Sequence, residues 1–460
     1  MNSRQQDLTQ GPLGRQILFF SLPLIFSNVL QVLFNMADVA VVGRFAGPAA
    51  LGSVGSTTTL VTLFTGFLIG LGGGVNVLTA LHLGARDTDA LRQTVHSAAI
   101  LCALAGLLLT GVGVAFARPI LELLHTKDEL IDGAALYLRI YFLGMPALGL
   151  YNFGNAVFSA AGDTRRPLVY LTAAGLVNLG LNLFFVLVCG MDVDGVAVAS
   201  VISQYISAIL IVRALFRAGT DFALRPEALR LHPGRSRAIL TLGIPAGVQY
   251  GIFALANLFI QAAVNSFSAT MVEGNSAAAN ADGIIYNVMA AFYTACSSFI
   301  GQNYGAGKRQ RIRCSYFLSI GYAFGAGLAL GVLLLALGPQ FLSLFTKDAL
   351  VVEAGMSRLR IMCLSYGFSA FMDGTIAASR GLEKSGVPTV MVILGSCVFR
   401  ILWIYTVFAH FRTISSLYLL YIFSWAITAA AEIWYFARIY RQCMAHLPPT
   451  AETAPQHQPT

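Results

Sequence analysis

The sequence predicts an all-α integral membrane protein of twelve transmembrane helices, arranged as two parallel six-helix repeats. Composition, the spacing of apolar runs and a motif series that occurs twice lead there. Of 460 residues, 57% are hydrophobic and only 11% charged, against roughly 25% charged in soluble domains; mean hydropathy is +0.71. Runs of about 20 apolar residues, the length that crosses the hydrocarbon, recur from end to end. Hydrocarbon offers the backbone no hydrogen bonds, so such runs read as helices. This excludes a soluble enzyme. The net charge of +8 would suit nucleic acid, but the basic residues sit between spans, where they set topology. No nucleic-acid partner is expected; the partners are membrane lipid and a small-molecule substrate, and the protein is read as a monomer.

The spans fall at roughly 16–42, 51–81, 94–117, 134–160, 168–190, 195–217, 237–264, 278–303, 314–337, 355–379, 387–409 and 415–440. The first is long enough to remain as a span, so no cleaved signal is expected. The longest connection, 218–236, is Arg-rich and carries Pro226 and Pro233. It divides an N-terminal lobe, 1–217, from a C-terminal lobe, 237–445. The remaining tail, 446–460, is rich in Pro, Thr and Gln and reads as disordered.

The halves repeat. Leu124-His125-Thr126-Lys127-Asp128 returns as Leu344-Phe345-Thr346-Lys347-Asp348, and Leu83-Gly84-Ala85 as Tyr304-Gly305-Ala306. Arg139-Ile140 answers Arg360-Ile361, and Pro167 answers Pro388. Pro23 and Asn35 of the first span answer Pro245 and Asn257 of the seventh. All these pairs lie 220–222 residues apart and in the same order. Each match alone is weak; the constant offset argues for duplication. An even number of spans per half gives both halves the same orientation, and repeat interfaces of this kind bind substrate near the midplane. With the N-terminus inside, twenty of the twenty-nine Lys and Arg gather on the inner face. That places the protein in the inner (plasma) membrane as a multi-pass chain with both termini cytoplasmic.

Polar groups within spans are costly and ask for a reason. In the first span Asn28, Gln31, Asn35 and Asp38 follow spacings of three, four and three, which stacks them on one helical face ending in an acid. Asn178 and Asn182 share a face of the fifth span, Asn152 and Asn155 a face of the fourth, and Ser200 lies in the sixth. Asparagines alone would be interhelical glue. With the carboxylate of Asp38 they make a coupling site for H⁺ or for a hard cation such as Na⁺; a packing stripe with Asp38 reaching water is the simpler alternative. In the second half, Gln249 and Asn257 of the seventh span, Tyr286 of the eighth, Asp373 of the tenth and Arg400 of the eleventh are substrate-cavity candidates, beside Gln31 and Asn35 of the first. Arg400 is expected to face Asp373, either as a structural ion pair or as part of the substrate site. Tyr293, Phe292, Tyr366 and Phe371 could line the same pocket or simply pack. Glu432 of the twelfth span reads as packing. Seven scattered cysteines without a C-x-x-C pair read as small buried hydrophobes. The glycines at 70 and 72–74 lie inside a span, and the stretch from Gly301 to Lys308 misses phosphate-loop spacing. No resident cofactor or metal, other than Na⁺ at Asp38, and no catalytic residue is expected.

The chain resembles bacterial multidrug and toxic compound extrusion (MATE) transporters over nearly its whole length. The likeness rests on Asn35-Met36-Ala37-Asp38 followed by Val42-Gly43-Arg44 and Gly47, and on Leu83-Gly84-Ala85-Arg86. It continues through Gly162-Asp163-Thr164-Arg165-Arg166-Pro167, Asn178, Gly195-Val196-Ala197-Val198-Ala199-Ser200, and Arg380-Gly381 ahead of Pro388. The resemblance implies drug or metabolite efflux by antiport against Na⁺ or H⁺, through a V-shaped pair of lobes that alternate access. It implies a cation-coupling set of Asp38, Asn155, Asn178, Asn182 and Ser200. Many members carry a second aspartate where this chain has Asn182, which leaves both ions open. The seventh-span glutamate of another branch is absent, with Phe253 near its place, and Asp373 lies about one turn from that branch's tenth-span acid. A flippase for lipid-linked or polysaccharide precursors is the alternative function; such proteins carry further spans and a strongly cationic cavity.

Overall fold

The computed structural model describes residues 7–447. Its spans are α1 (Leu13–Ala46), α2 (Pro48–Ala85), α3 (Thr88–Leu123), α4 (Asp128–Phe142 and Met145–Ala160), α5 (Arg165–Val188) and α6 (Val193–Phe216). The second half repeats the series as α7 (Pro233–Val264), α8 (Ala269–Gly305), α9 (Arg309–Ala336), α10 (Ala349–Gly381), α11 (Gly386–Phe411) and α12 (Ile414–His446). Two spans are broken, α4 by 48° and α10 by 50°. Gly144 and Pro146 explain the first: Gly144 ends the helical ladder and Pro146, in the first turn of the new helix, has no N–H to continue it back to Phe142. No strand occurs among the described residues. Most helices outrun the expected spans at one or both ends because a helix need not stop where the hydrocarbon does. Apolar side chains on the outer faces, such as Phe26, Leu108 and Trp434, are exposed to where lipid lies. Five of the seven cysteines are buried, Cys314 is half-buried and Cys189 exposed. α12 runs to His446, and the tail expected from that point lies, after Leu447, outside the described residues.

The lobes are α1–α6 and α7–α12, but their lead helices cross between them. Ile17, Phe20 and Leu24 of α1 belong to the core of the second lobe, with Phe20 edge-on to Phe299 at 5.5 Å. Ile239 and Leu242 of α7 belong to a core of the first lobe, beside Leu71 and Phe158. The face where α1 and α7 begin (the near face) therefore holds the lobes together. There Gln302 Nε2 donates to the Ala160 carbonyl at 2.6 Å, and Leu8 N–H donates to Gln302 Oε1 at 3.1 Å. Lys308 and Arg311 donate to carbonyls of Thr9 and Gly11, 2.7 and 2.8 Å away, clipping the chain before α1 onto α9 and its approach. Deeper in, Ser298 Oγ donates to Asn76 Oδ1 at 3.0 Å, and Asn28 Nδ2 to the Asn287 carbonyl at 2.9 Å. Among the described residues no hydrogen bond joins the lobes further from the near face than that last pair. Close approach needs glycine at Gly84, where a Cβ would lie 1.9 Å from the Gln302 carbonyl oxygen, and at Gly70, where it would lie 2.3 Å from the Gly247 nitrogen.

The 218–236 connection is ordered on the near face of the first lobe. Phe222 and Leu224 are buried there, Arg225 N–H donates to His96 Nε2 and His232 N–H to Ser97 Oγ, each at 3.0 Å.

Candidate functional site

Two polar sites stand inside the protein. The first is built by α1, α5 and α6. Asn182 Nδ2 donates to Asp38 Oδ1 at 2.5 Å and lies 3.3 Å from Asn178 Oδ1. Ser200 lies beside the same carboxylate, and the stacked rings of Tyr137 and Tyr141 stand near it. Asn182 is fully buried and its Oδ1 has no partner, which leaves an acceptor open next to a carboxylate. The helices widen just beyond these residues: α1 has a π turn at Val42–Ala46 and α5 one at Phe184–Val188. Such turns displace the backbone by one residue and recur at functional sites. Four of the five expected coupling residues are thus brought together. Asn155 is not with them; it shares no hydrogen bond with Asp38 and lies on the wall of the second site.

The second site is a cavity of about 790 Å³ between the lobes, lined from Asn275 and Arg358 at the far ends of α8 and α10 to Ser159 and Arg380 close to the near-face seam. Gln249, Asn257, Tyr286, Asp373 and Arg400 all line it, as expected, together with Tyr293 and Tyr366. Gln31 and Asn35 do not: both are exposed on α1 and stand outside the lining, so the polar stripe of α1 is divided between the seam at Asn28 and the site at Asp38. Phe292 and Phe371 pack outside it too.

The expected pair of Arg400 with Asp373 does not form. Arg400 donates from Nε to Ser424 Oγ at 3.0 Å, and Asp373 accepts from Ser369 Oγ at 3.1 Å. The ion pair on this wall joins Arg358 to Asp282, and Tyr366 Oη donates to the same carboxylate. Both charges were visible in the sequence as ionisable residues inside apolar spans, and sequence reasoning passed over them. Arg380, one residue past the expected end of the tenth span, is on the cavity wall with Nη2 donating to Gln249 Oε1 at 2.7 Å. Glu432 is fully buried and neither of its oxygens has a partner, so packing alone does not describe it. No group of three His, Cys, Asp or Glu able to hold a metal occurs among the described residues.

Comparison with known proteins agrees with this architecture. The probable multidrug resistance protein YpnP of Bacillus subtilis is 29% identical over 389 residues, covering 81% of this chain and 84% of the relative. An FAD transporter of Shewanella oneidensis is 25% identical over 371 residues, covering 78% and 80%. A solved outward-facing multidrug resistance MATE family transporter of the MOP superfamily superposes with a TM-score of 0.89 at 21% identity, over 97% of this chain and 100% of that one; at that identity it speaks to fold alone. A family model described as MatE matches residues 23–184 and again 245–406, at the offset the repeated motifs show. With both halves matched and the two-lobe fold in place, the chain belongs to the MATE family, whose members are membrane transporters and not enzymes.

Proposed function

We propose that this protein exports small organic molecules, many of them cationic in this family, by antiport against H⁺ or Na⁺ through alternating access. The observation that carries the reading is the pair of sites. A drug-sized cavity lies between two lobes sealed together on one face, and a separate carboxylate with oxygen-bearing neighbours sits in the first lobe. A cavity of 300–1,000 Å³ is the size that encloses such ligands. Asp38, Asn178, Asn182 and Ser200 hold the driving ion. The relatives' names, multidrug resistance protein and FAD transporter, support organic cargo. The crowding of Lys and Arg makes the near face cytoplasmic, and the 218–236 connection joins the lobes there. A cysteine at Gly219 should then react only from the cytoplasmic side. The chain acts as a monomer, without a cofactor.

The flippase alternative gains one observation, the three arginines on the cavity wall, while the count of twelve spans argues against it. Reconstitution in liposomes with pH and Na⁺ gradients imposed separately tests the main reading. One gradient should drive export of a fluorescent organic substrate; equal rates with and without both gradients would refute coupling.

A further inference from the structure

The charges on the cavity wall all lie on one side. The first lobe contributes polar but uncharged groups such as Asn76, Asn152 and Asn155, whereas Arg358, Arg380, Arg400, Asp282 and Asp373 all come from the second. Arg358 is accounted for by Asp282 and by Asn275 Oδ1 at 2.7 Å. The other two guanidiniums have no such partner. Among the described residues, no carboxylate lies within 4.0 Å of Arg380 or Arg400. Asp373, which accepts from Ser369 Oγ, stands near both arginines and Glu432 near Arg380, but neither carboxylate bonds a guanidinium N–H.

Arg400 is 3% exposed and spends one of its donors on Ser424. Its flat face lies over Tyr421 at 4.7 Å, with Phe253 and Trp425 each at 5.8 Å. Stacking steadies a delocalised cation but satisfies none of the N–H groups, which point outward in the guanidinium plane. Arg380 bonds Gln249 through Nη2, while its Nε is buried without an acceptor. Guanidinium charge at membrane depth is costly and marks ion and substrate pathways. A forked donor in a low-dielectric wall matches the two oxygens of a carboxylate or phosphate.

We propose that Arg380 and Arg400 form an anion subsite in the cavity, which takes the carboxylate or phosphate of an aromatic substrate. Its ring lies among Tyr250, Tyr286 and Trp425, and its neutral end faces the amides of the first lobe. Among organic cargo this subsite therefore selects aromatic anions and zwitterions, in place of the cations common in the family. This rests on reading the cavity as the transport path.

The test is calorimetric binding to the purified protein in neutral detergent, with 2-naphthoate, 2-naphthyl phosphate, methyl 2-naphthoate and 2-naphthylmethylammonium as probes. At least one anion should bind about tenfold more tightly than the ester, as charge-assisted pairing requires, and Arg400→Gln should remove that preference. The tighter of the two anions identifies the recognised group. The wild-type comparison of acid with ester needs no variant, so misfolding of Arg400→Gln leaves it intact. Equal affinities, tighter binding of the ammonium compound, or no binding of either anion at millimolar concentration would overturn the proposal. So would saturable binding of short-chain phosphatidylglycerol but not phosphatidylcholine with neither soluble anion bound, which assigns the pair to a lipid headgroup. Binding is read without a gradient, so a protein that binds the anions but exports nothing refutes the exporter and not the subsite.

Discussion

At the scale of residues, the proposed coupling site rests on the carboxylate of Asp38 and the amide of Asn182 that donates to it. Asp38 could be singled out because it ends a run of polar residues at helical spacing, and Asn178, Asn182 and Ser200 because each interrupts an apolar span. Helical spacing assigns residues to a face but does not say which neighbour the face meets. That is why Asn155 and the partner of Arg400 fall elsewhere than expected: both depend on how neighbouring helices dock. Asp38→Asn keeps the shape of the side chain and removes the charge. Asn is also easier to bury than a carboxylate, so the variant should insert and unfold at the wild-type temperature or above. Gradient-driven export should fall by about tenfold or more, because the interaction lost is the one that couples the ion. Export at the wild-type rate under both gradients would remove Asp38 from the mechanism.

At the scale of elements, α1 is shared between the lobes. Its first half packs in the core of the second lobe, with buried Pro23 inside that segment, and its last turns meet α5 and α6. Proline deletes a backbone hydrogen bond and lets a helix bend. Pro23→Ala restores that bond, so turnover should slow while substrate affinity, read by equilibrium binding, stays the same. Unchanged turnover would count against a hinge. The seam between α2 and α8 gives the complementary case. Gly84→Val drives side-chain atoms into the Gln302 carbonyl and should cost the sealed state about 1–3 kcal/mol, as overpacking does. Labelling of a cysteine placed at buried Ser298 should then rise from the near face; an unchanged labelling rate would mean the seam yields elsewhere. The sequence carried Gly84 as half of a repeated motif, but which helix it touches is a property of the docked lobes and has no local signal.

At the scale of the whole molecule, the duplication and the twelve spans were readable because both are periodic: one in hydropathy, the other in the constant offset that the two MatE matches share. The crossing of the lead helices and the sealed near face were not readable, since a transporter has more than one arrangement of the same lobes and the chain encodes them all. The central claim is that the sealed face must open for cargo to move. Asn76 and Ser298 meet across the seam, so cysteines at these two positions, in a chain whose seven native cysteines are replaced by alanine, can be joined by a short bis-maleimide. Measured in liposomes, gradient-driven export by the doubly substituted protein should stop once the linker has reacted and continue when a monofunctional maleimide is used instead. Undiminished export with the lobes joined there would contradict alternating access across this seam.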